Sequence, residues 1–246
     1  MKLLFDDRFA PITSEMGFVE APAERVVDWF TRWDRSIQEA RGVSVTSRAA
    51  TGDFATLLQT LLPLTSVIPR RFLFVPTTGA WTAYFDNGHQ GTDAATLSHV
   101  ALQLGCRAVR AAAIPDSLGS VTDTSKKGRY GASLLEVYGP EEMNFLDYVR
   151  TIAAANDGGR WVFEQIGEPL AFEDTKQYRT RVIKDRFPAA LLEKYLRELR
   201  ISAFDEEFYA PLSTAFLVER TGGPTVPGMR DYSLAEAREG FLDTPP

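Results

Sequence analysis

The chain has 246 residues, 44% hydrophobic and 24% charged, a balance that excludes disordered, collagen-like and membrane-embedded classes. Its 33 acidic and 27 basic side chains leave a formal charge of −6, which repels phosphate backbones and anionic lipid, so neither nucleic acid nor a membrane is an expected partner. A single cysteine, Cys106, excludes an intrachain disulfide and a multi-thiolate metal site, and fits a reducing cytoplasm.

Met1-Lys2-Leu3-Leu4-Phe5 runs straight into Asp6 and Asp7, without the unbroken apolar stretch of an export signal. Residues 16–20 read as a strand. Ala21-Pro22 then places a proline at a helix start, and Val26, Val27, Phe30, Trp33 and Ile37 recur at helical spacing, predicting a helix over 22–40 closed by Gly42. Residues 43–47 are strand-like, and Asp53 is the expected cap of a helix over 53–62 ended by Pro63. The apolar window 54–68 is broken by Gln59 and Pro63 and is too short to cross the roughly 30 Å hydrocarbon layer.

Residues 71–75 and 80–85, joined by Pro76-Thr77-Thr78-Gly79, predict a hairpin whose second arm points Trp81, Ala83 and Phe85 one way and Thr82 and Tyr84 the other, with one well-buried face. Thr92 or Asp93 caps the next helix, whose stripe is Leu97, Val100, Ala101 and Leu104, and Gly105 stops it before a strand over 106–112. Residues 114–128 are polar and rich in helix breakers, predicting a long surface loop. A strand over 129–138 precedes a helix expected from Pro140 to about Ala155, ended by Asn156-Asp157-Gly158-Gly159. Further strands are expected over 161–166, 170–172 and 177–183, then a helix from Pro188 carrying Leu191, Leu192, Tyr195, Leu196 and Leu199, and a strand over 214–219. These elements predict an α+β chain with a mixed, mainly antiparallel sheet and several packed helices. One domain over 1–220 is expected, with a seam at 114–128 as the alternative, and a Gly/Pro-rich tail over 221–246.

Asp86, Asn87, His89 and Asp93 lie at the end of a strand and the start of a helix, where a loop could aim an imidazole and two carboxylates at a ligand. The same residues also make a turn and a helix cap. Cys106 with His99 lacks a thiol-enzyme motif and reads as a small buried hydrophobe. Asp205, Glu206 and Glu207, like Glu168, Glu173 and Asp174, offer carboxylate oxygens but not the ligand spacing of a calcium loop, so no metal is expected. Lys176, Arg179, Arg181, Lys184 and Arg186 around Tyr178 read as an edge strand guarded by charge. No phosphate-cradling glycine motif, nucleophile elbow or paired-histidine helix is present, and no cofactor is expected.

Residues 17–26, Gly-Phe-Val-Glu-Ala-Pro-Ala-Glu-Arg-Val, resemble the strand-then-helix opening of helix-grip lipid-binding domains. The helix over 53–62 and the hairpin followed by another helix depart from that family's long meander of strands, so no site is carried over. The 21 arginines against 6 lysines, with abundant alanine, fit a bacterial genome's composition. Acidic charge and the missing catalytic motifs point first to a non-catalytic protein-binding module of inhibitor or immunity type, marked by a contiguous acidic and aromatic patch with no deep pocket. The alternatives are an enzyme using His89 with Asp86 or Asp93, and a small-ligand binder with a cavity lined by Trp81, Tyr84 and Trp161, where Trp81, Tyr84 and Asn87 are the candidate binding residues.

Overall fold

A computed structural model describes residues 3–92, 94–117, 129–141, 148–210 and 213–238. The chain is α+β, dominated by one nine-stranded antiparallel sheet. Its strands are β1 (Glu15–Val19), β2 (Val43–Ala50), β4 (Arg71–Pro76), β5 (Thr82–Asp86), β6 (Ala108–Ile114), β7 (Ala132–Tyr138), β8 (Tyr148–Asp157), β9 (Arg160–Ile166) and β10 (Ala215–Gly222), with β3 (Leu64–Thr65) and β11 (Asp231–Tyr232) forming a separate small pair. The spatial order is β2-β10-β4-β5-β1-β6-β7-β8-β9, so β10 is inserted between two strands from the first third of the chain. β6 and β7, on either side of residues 114–128, are neighbours in register from Ala108↔Tyr138 to Ile114↔Ala132.

Both faces of the sheet are covered. Helices α1 (Ala23–Gln38) and α3 (Ala94–Leu104) lie on one side over Val26, Phe30, Phe72, Phe74, Tyr84 and Val100. The other side holds α2 (Phe54–Gln59), α4 (Ala189–Glu198) and the N-terminal segment over Leu73, Phe85, Val109, Leu135 and Ile152. β5 is therefore buried throughout, not on one face as its alternation predicts: Trp81 and Phe85 enter one core and Tyr84 the other. Local signals at the helix ends act as expected. Gly42 ends the first helical stretch at φ 69°, a left-handed position where a Cβ would be strained, and the Asp53 carboxylate accepts the Thr56 N–H at 2.7 Å.

Three sequence expectations are corrected. Where a helix is expected up to Ala155, residues 148–157 form β8, and residues 142–147 lie outside the described residues. Val149, Thr151 and Ile152 are β-branched, and pairing on both sides with β7 and β9 overrides the helix preference of Ala153-Ala154-Ala155. Asn156-Asp157-Gly158-Gly159, expected to end that helix, instead closes β8 with Asn156 and Asp157 and turns into β9 at Gly158 and Gly159, at φ 58° and 93°. Residues 170–172 make a turn closed by Glu173 N–H donating to the Leu170 carbonyl, and not a strand. The basic stretch 177–183 is not an edge strand either: it contains a 3-10 turn at Gln177–Arg179, and a second follows at Ile183–Asp185. Tyr178 is drawn into the core by its hydrogen bond to Glu173 at 2.8 Å, while its charged neighbours stay in solvent. The sheet edges are β2 and β9.

The Gly/Pro-rich stretch after 221 folds back. Asp231 and Tyr232 pair with Thr65 and Leu64, and α5 (Leu234–Arg238) follows. No described helix is long and apolar enough to cross a membrane.

Candidate functional site: an acidic cleft beside a left-handed turn

An open cleft of about 760 Å³ lies between the N-terminal segment, the β4–β5 turn and the segment after α4. Its described lining includes Asp6, Asp205, Glu206 and Glu207 but no basic side chain, over a floor of Phe5, Phe204 and Phe208. Asp205 is partly neutralised by Arg197, which lies 3.4 Å away and is itself half exposed. Asp6, Glu206 and Glu207 face solvent.

Each wall is pinned. Thr78 N–H donates to the Phe208 carbonyl at 2.8 Å and Ala210 N–H to the Pro76 carbonyl at 2.9 Å, clipping the acidic segment to the hairpin. The buried Tyr209 hydroxyl donates to the Ala203 carbonyl at 2.7 Å, and burial pushes this phenol well above its ordinary pKa, so it remains a neutral donor. Opposite, Phe5, Asp6 and Asp7 have φ values of 53°, 49° and 65°, three successive residues in the left-handed region. That conformation costs roughly 1–2 kcal/mol per residue. Burying the Leu4 and Phe5 side chains returns roughly 1.5–3 kcal/mol each. The two amounts are alike, so the turn depends on what seats Phe5: ring contacts with Phe9 at 5.2 Å and Phe54 at 5.4 Å, and the Asp7–Arg129 ion pair at 2.5 Å. Strained backbone held by its surroundings beside a cleft is a recurrent property of binding sites.

The residues singled out in the sequence are placed as follows. Asp86 is buried; it accepts from Gly88 N–H at 2.8 Å and faces the Tyr84 hydroxyl at 3.5 Å. Asn87 organises the 63–71 loop: its Oδ1 accepts from the Arg70 and Arg71 N–H groups at 2.7 and 2.9 Å, and its Nδ2 donates to the Pro63 carbonyl at 2.9 Å. His89 stacks on Tyr232 at 5.4 Å, with Nδ1 at 3.3 Å from the Thr65 carbonyl. Asp93 lies outside the described residues. Trp81 is buried, with Nε1 donating to the Leu199 carbonyl at 3.1 Å, and Tyr84 lies in the core across the sheet from it, so the two do not share a cavity wall. The acidic cleft brings the expected Asp205-Glu206-Glu207 run together with Asp6, a partner from the opposite end of the sequence. Among the described residues, no group of three or more His, Cys, Asp or Glu side chains is placed to hold a metal ion.

A second ionic group was not legible in the sequence. Arg110 on β6 donates to Glu15 on β1 and to Glu136 on β7, the latter at 3.2 Å, while the Tyr138 hydroxyl donates to Glu136 at 2.8 Å. Burial pushes the Glu15 carboxyl up, with Arg110 opposing the shift. The group ties together three neighbouring strands, and only their register assembles it.

Cys106 is half-buried, and burial raises its thiol to about 11, with Arg25 opposing the shift. Alkylation by iodoacetamide at neutral pH is expected to be far slower than for a free thiol and to accelerate only as pH approaches that value, a profile followed by mass spectrometry. His99 instead packs its ring against Trp29 and Trp33, at 5.3 and 5.2 Å.

No protein-family model, curated protein or solved structure matches the chain.

Proposed function

We propose that the chain is a cytoplasmic, non-catalytic protein-binding module of inhibitor or immunity type, and that its acidic cleft covers a basic site on a partner protein. The observation that carries this reading is the lining of the cleft, four carboxylates over aromatic rings with no basic side chain among the described residues. A one-sign cleft focuses the field and speeds encounter with a partner of opposite charge.

The test is affinity capture from native lysate by the wild type and by the Asp6→Asn/Glu206→Gln/Glu207→Gln variant, at low and moderate salt. The expected result is a basic partner retained stoichiometrically by the wild type, released by salt and weakened about 10-fold or more by the triple change. Equal retention by both chains would remove the cleft from the interface. All three side chains are exposed, so melting should be unchanged.

A further inference from the structure

At the other end of the sheet, a smaller cavity of about 190 Å³ opens between the end of α1, the 63–71 loop and the exit of β10. We infer that this cavity binds a small organic anion with an apolar body, a carboxylate or a phosphate monoester. Three arginines, Arg41, Arg70 and Arg220, line it, and no acidic residue among those described does. The remaining wall is largely apolar, with Val43, Ile68 and Val226.

The three arginines are not equivalent. Arg220 is already committed: it makes a two-point pair with the fully buried Asp34, both contacts at 2.7 Å, donates to the Pro69 carbonyl at 3.0 Å and lies over the Phe72 ring at 4.6 Å. Asp34 cancels its charge and fixes its plane. The side chains of Arg41 and Arg70 donate to no group among the described residues. They place at this apolar hollow two positive charges that form no ion pair among the described residues, in a chain whose net charge is −6. A guanidinium fork matches a carboxylate or phosphate in geometry as well as charge.

A second cavity of about 300 Å³, also lined by Arg70 and Arg220, differs in that it holds carboxylates: Asp231, and Glu219, which pairs with Arg71 at 3.2 Å. The lip beside Ile68 is held by local hydrogen bonds. Val67, 62% exposed, sits at φ 68° in a three-residue turn closed by Ile68 N–H donating to the Ser66 carbonyl at 2.8 Å. Ser66 is braced by a hydrogen bond from Arg230 N–H at 2.8 Å, and Thr65 Oγ1 donates to the Ile68 carbonyl at 2.8 Å. The hollow's size admits a small molecule and excludes a polymer chain.

Titration with phenyl phosphate, benzoate, inorganic phosphate and benzyl alcohol, followed by amide chemical shifts, tests this. The expected result is saturable 1:1 binding of phenyl phosphate or benzoate, moving the Ile68 and Gly222 amides, with benzyl alcohol and inorganic phosphate each weaker by about 10-fold or more. The tighter of the two aromatic anions identifies the headgroup. Arg70→Gln, and separately Arg41→Gln, should weaken binding about 10-fold without changing the melting temperature, since neither side chain has a hydrogen-bond partner to lose among the described residues. Absence of saturable binding by either aromatic anion up to about 10 mM overturns the proposal. So does binding unaffected by both substitutions, or inorganic phosphate binding as tightly as phenyl phosphate.

Discussion

Replacing Glu173 by alanine is expected to lower the unfolding free energy by about 3–5 kcal/mol, read as a shift of the urea midpoint. Arg150 and Glu173 are 1% and 0% exposed, and their ion pair at 2.7 Å is surrounded by further donors and acceptors. Arg150 also donates to Gln165 Oε1 at 2.8 Å and to the Gly167 carbonyl at 2.6 Å, while Glu173 accepts from Tyr178 at 2.8 Å and from Leu170 N–H at 2.9 Å. Removing the carboxylate strands a buried guanidinium and unties the 168–187 segment from β8 and β9 at once. Removing both charges should do much less harm: Arg150→Met/Glu173→Leu is expected to stay within about 1–2 kcal/mol of the wild type, because no charge is left unpaired. A single variant as mild as the double would show that this pair does not anchor the segment. The register leaves little freedom here, since a Cβ on Gly167, at φ 79°, would lie 2.1 Å from the Val149 carbonyl oxygen.

Phe54→Ala is expected to cost about 3–5 kcal/mol as well, and to act on the acidic cleft in addition. Phe54 stacks on Tyr209 at 4.0 Å and 15°, and touches Phe85 and Phe5 at 5.7 and 5.4 Å. Its ring is part of the surface that seats Phe5, whose burial offsets the left-handed backbone of residues 5–7. Hydrogen exchange at residues 5–8 should therefore rise more than the global loss of stability requires, whereas Phe54→Leu, which keeps most of the volume, should cost about 1.5 kcal/mol or less and leave that exchange near wild type. Unchanged protection of residues 5–8 in a folded Phe54→Ala chain would detach the turn from this core.

Much of the fold was legible where the signal is local. The stripe of Val26, Val27, Phe30 and Trp33, the Asp53 cap and the aromatic hairpin around Pro76-Thr77-Thr78-Gly79 each need only neighbouring residues to act, and each is found, though Ile37, expected in the same stripe, is exposed. The errors share a different physics. Val149 to Ala155 form a strand because two partners, β7 and β9, supply the hydrogen bonds, a condition no seven-residue window contains. Residues 177–183 alternate as a strand would, yet the buried Glu173 draws Tyr178 inward and bends the chain into turns. The candidate site was half visible: Asp205-Glu206-Glu207 stood out as an acidic run, but Asp6 joins it only through tertiary folding. The Arg110 group was hidden for the same reason, its members being charges that look solvent-facing one strand at a time.

The insertion of β10 between β2 and β4 sets an order in time during synthesis. At roughly 5–20 residues per second, Ala215 follows its register partner Ala50 by on the order of 10–30 s. From the completion of β5 until β10 follows, β4 has β5 on one side and lacks its native partner on the other, leaving the backbone of Phe72-Leu73-Phe74-Val75 as an unpaired apolar edge. A nascent chain stalled before residue 215 would carry this edge permanently, making it the form of the protein most prone to aggregate and the one most in need of a chaperone.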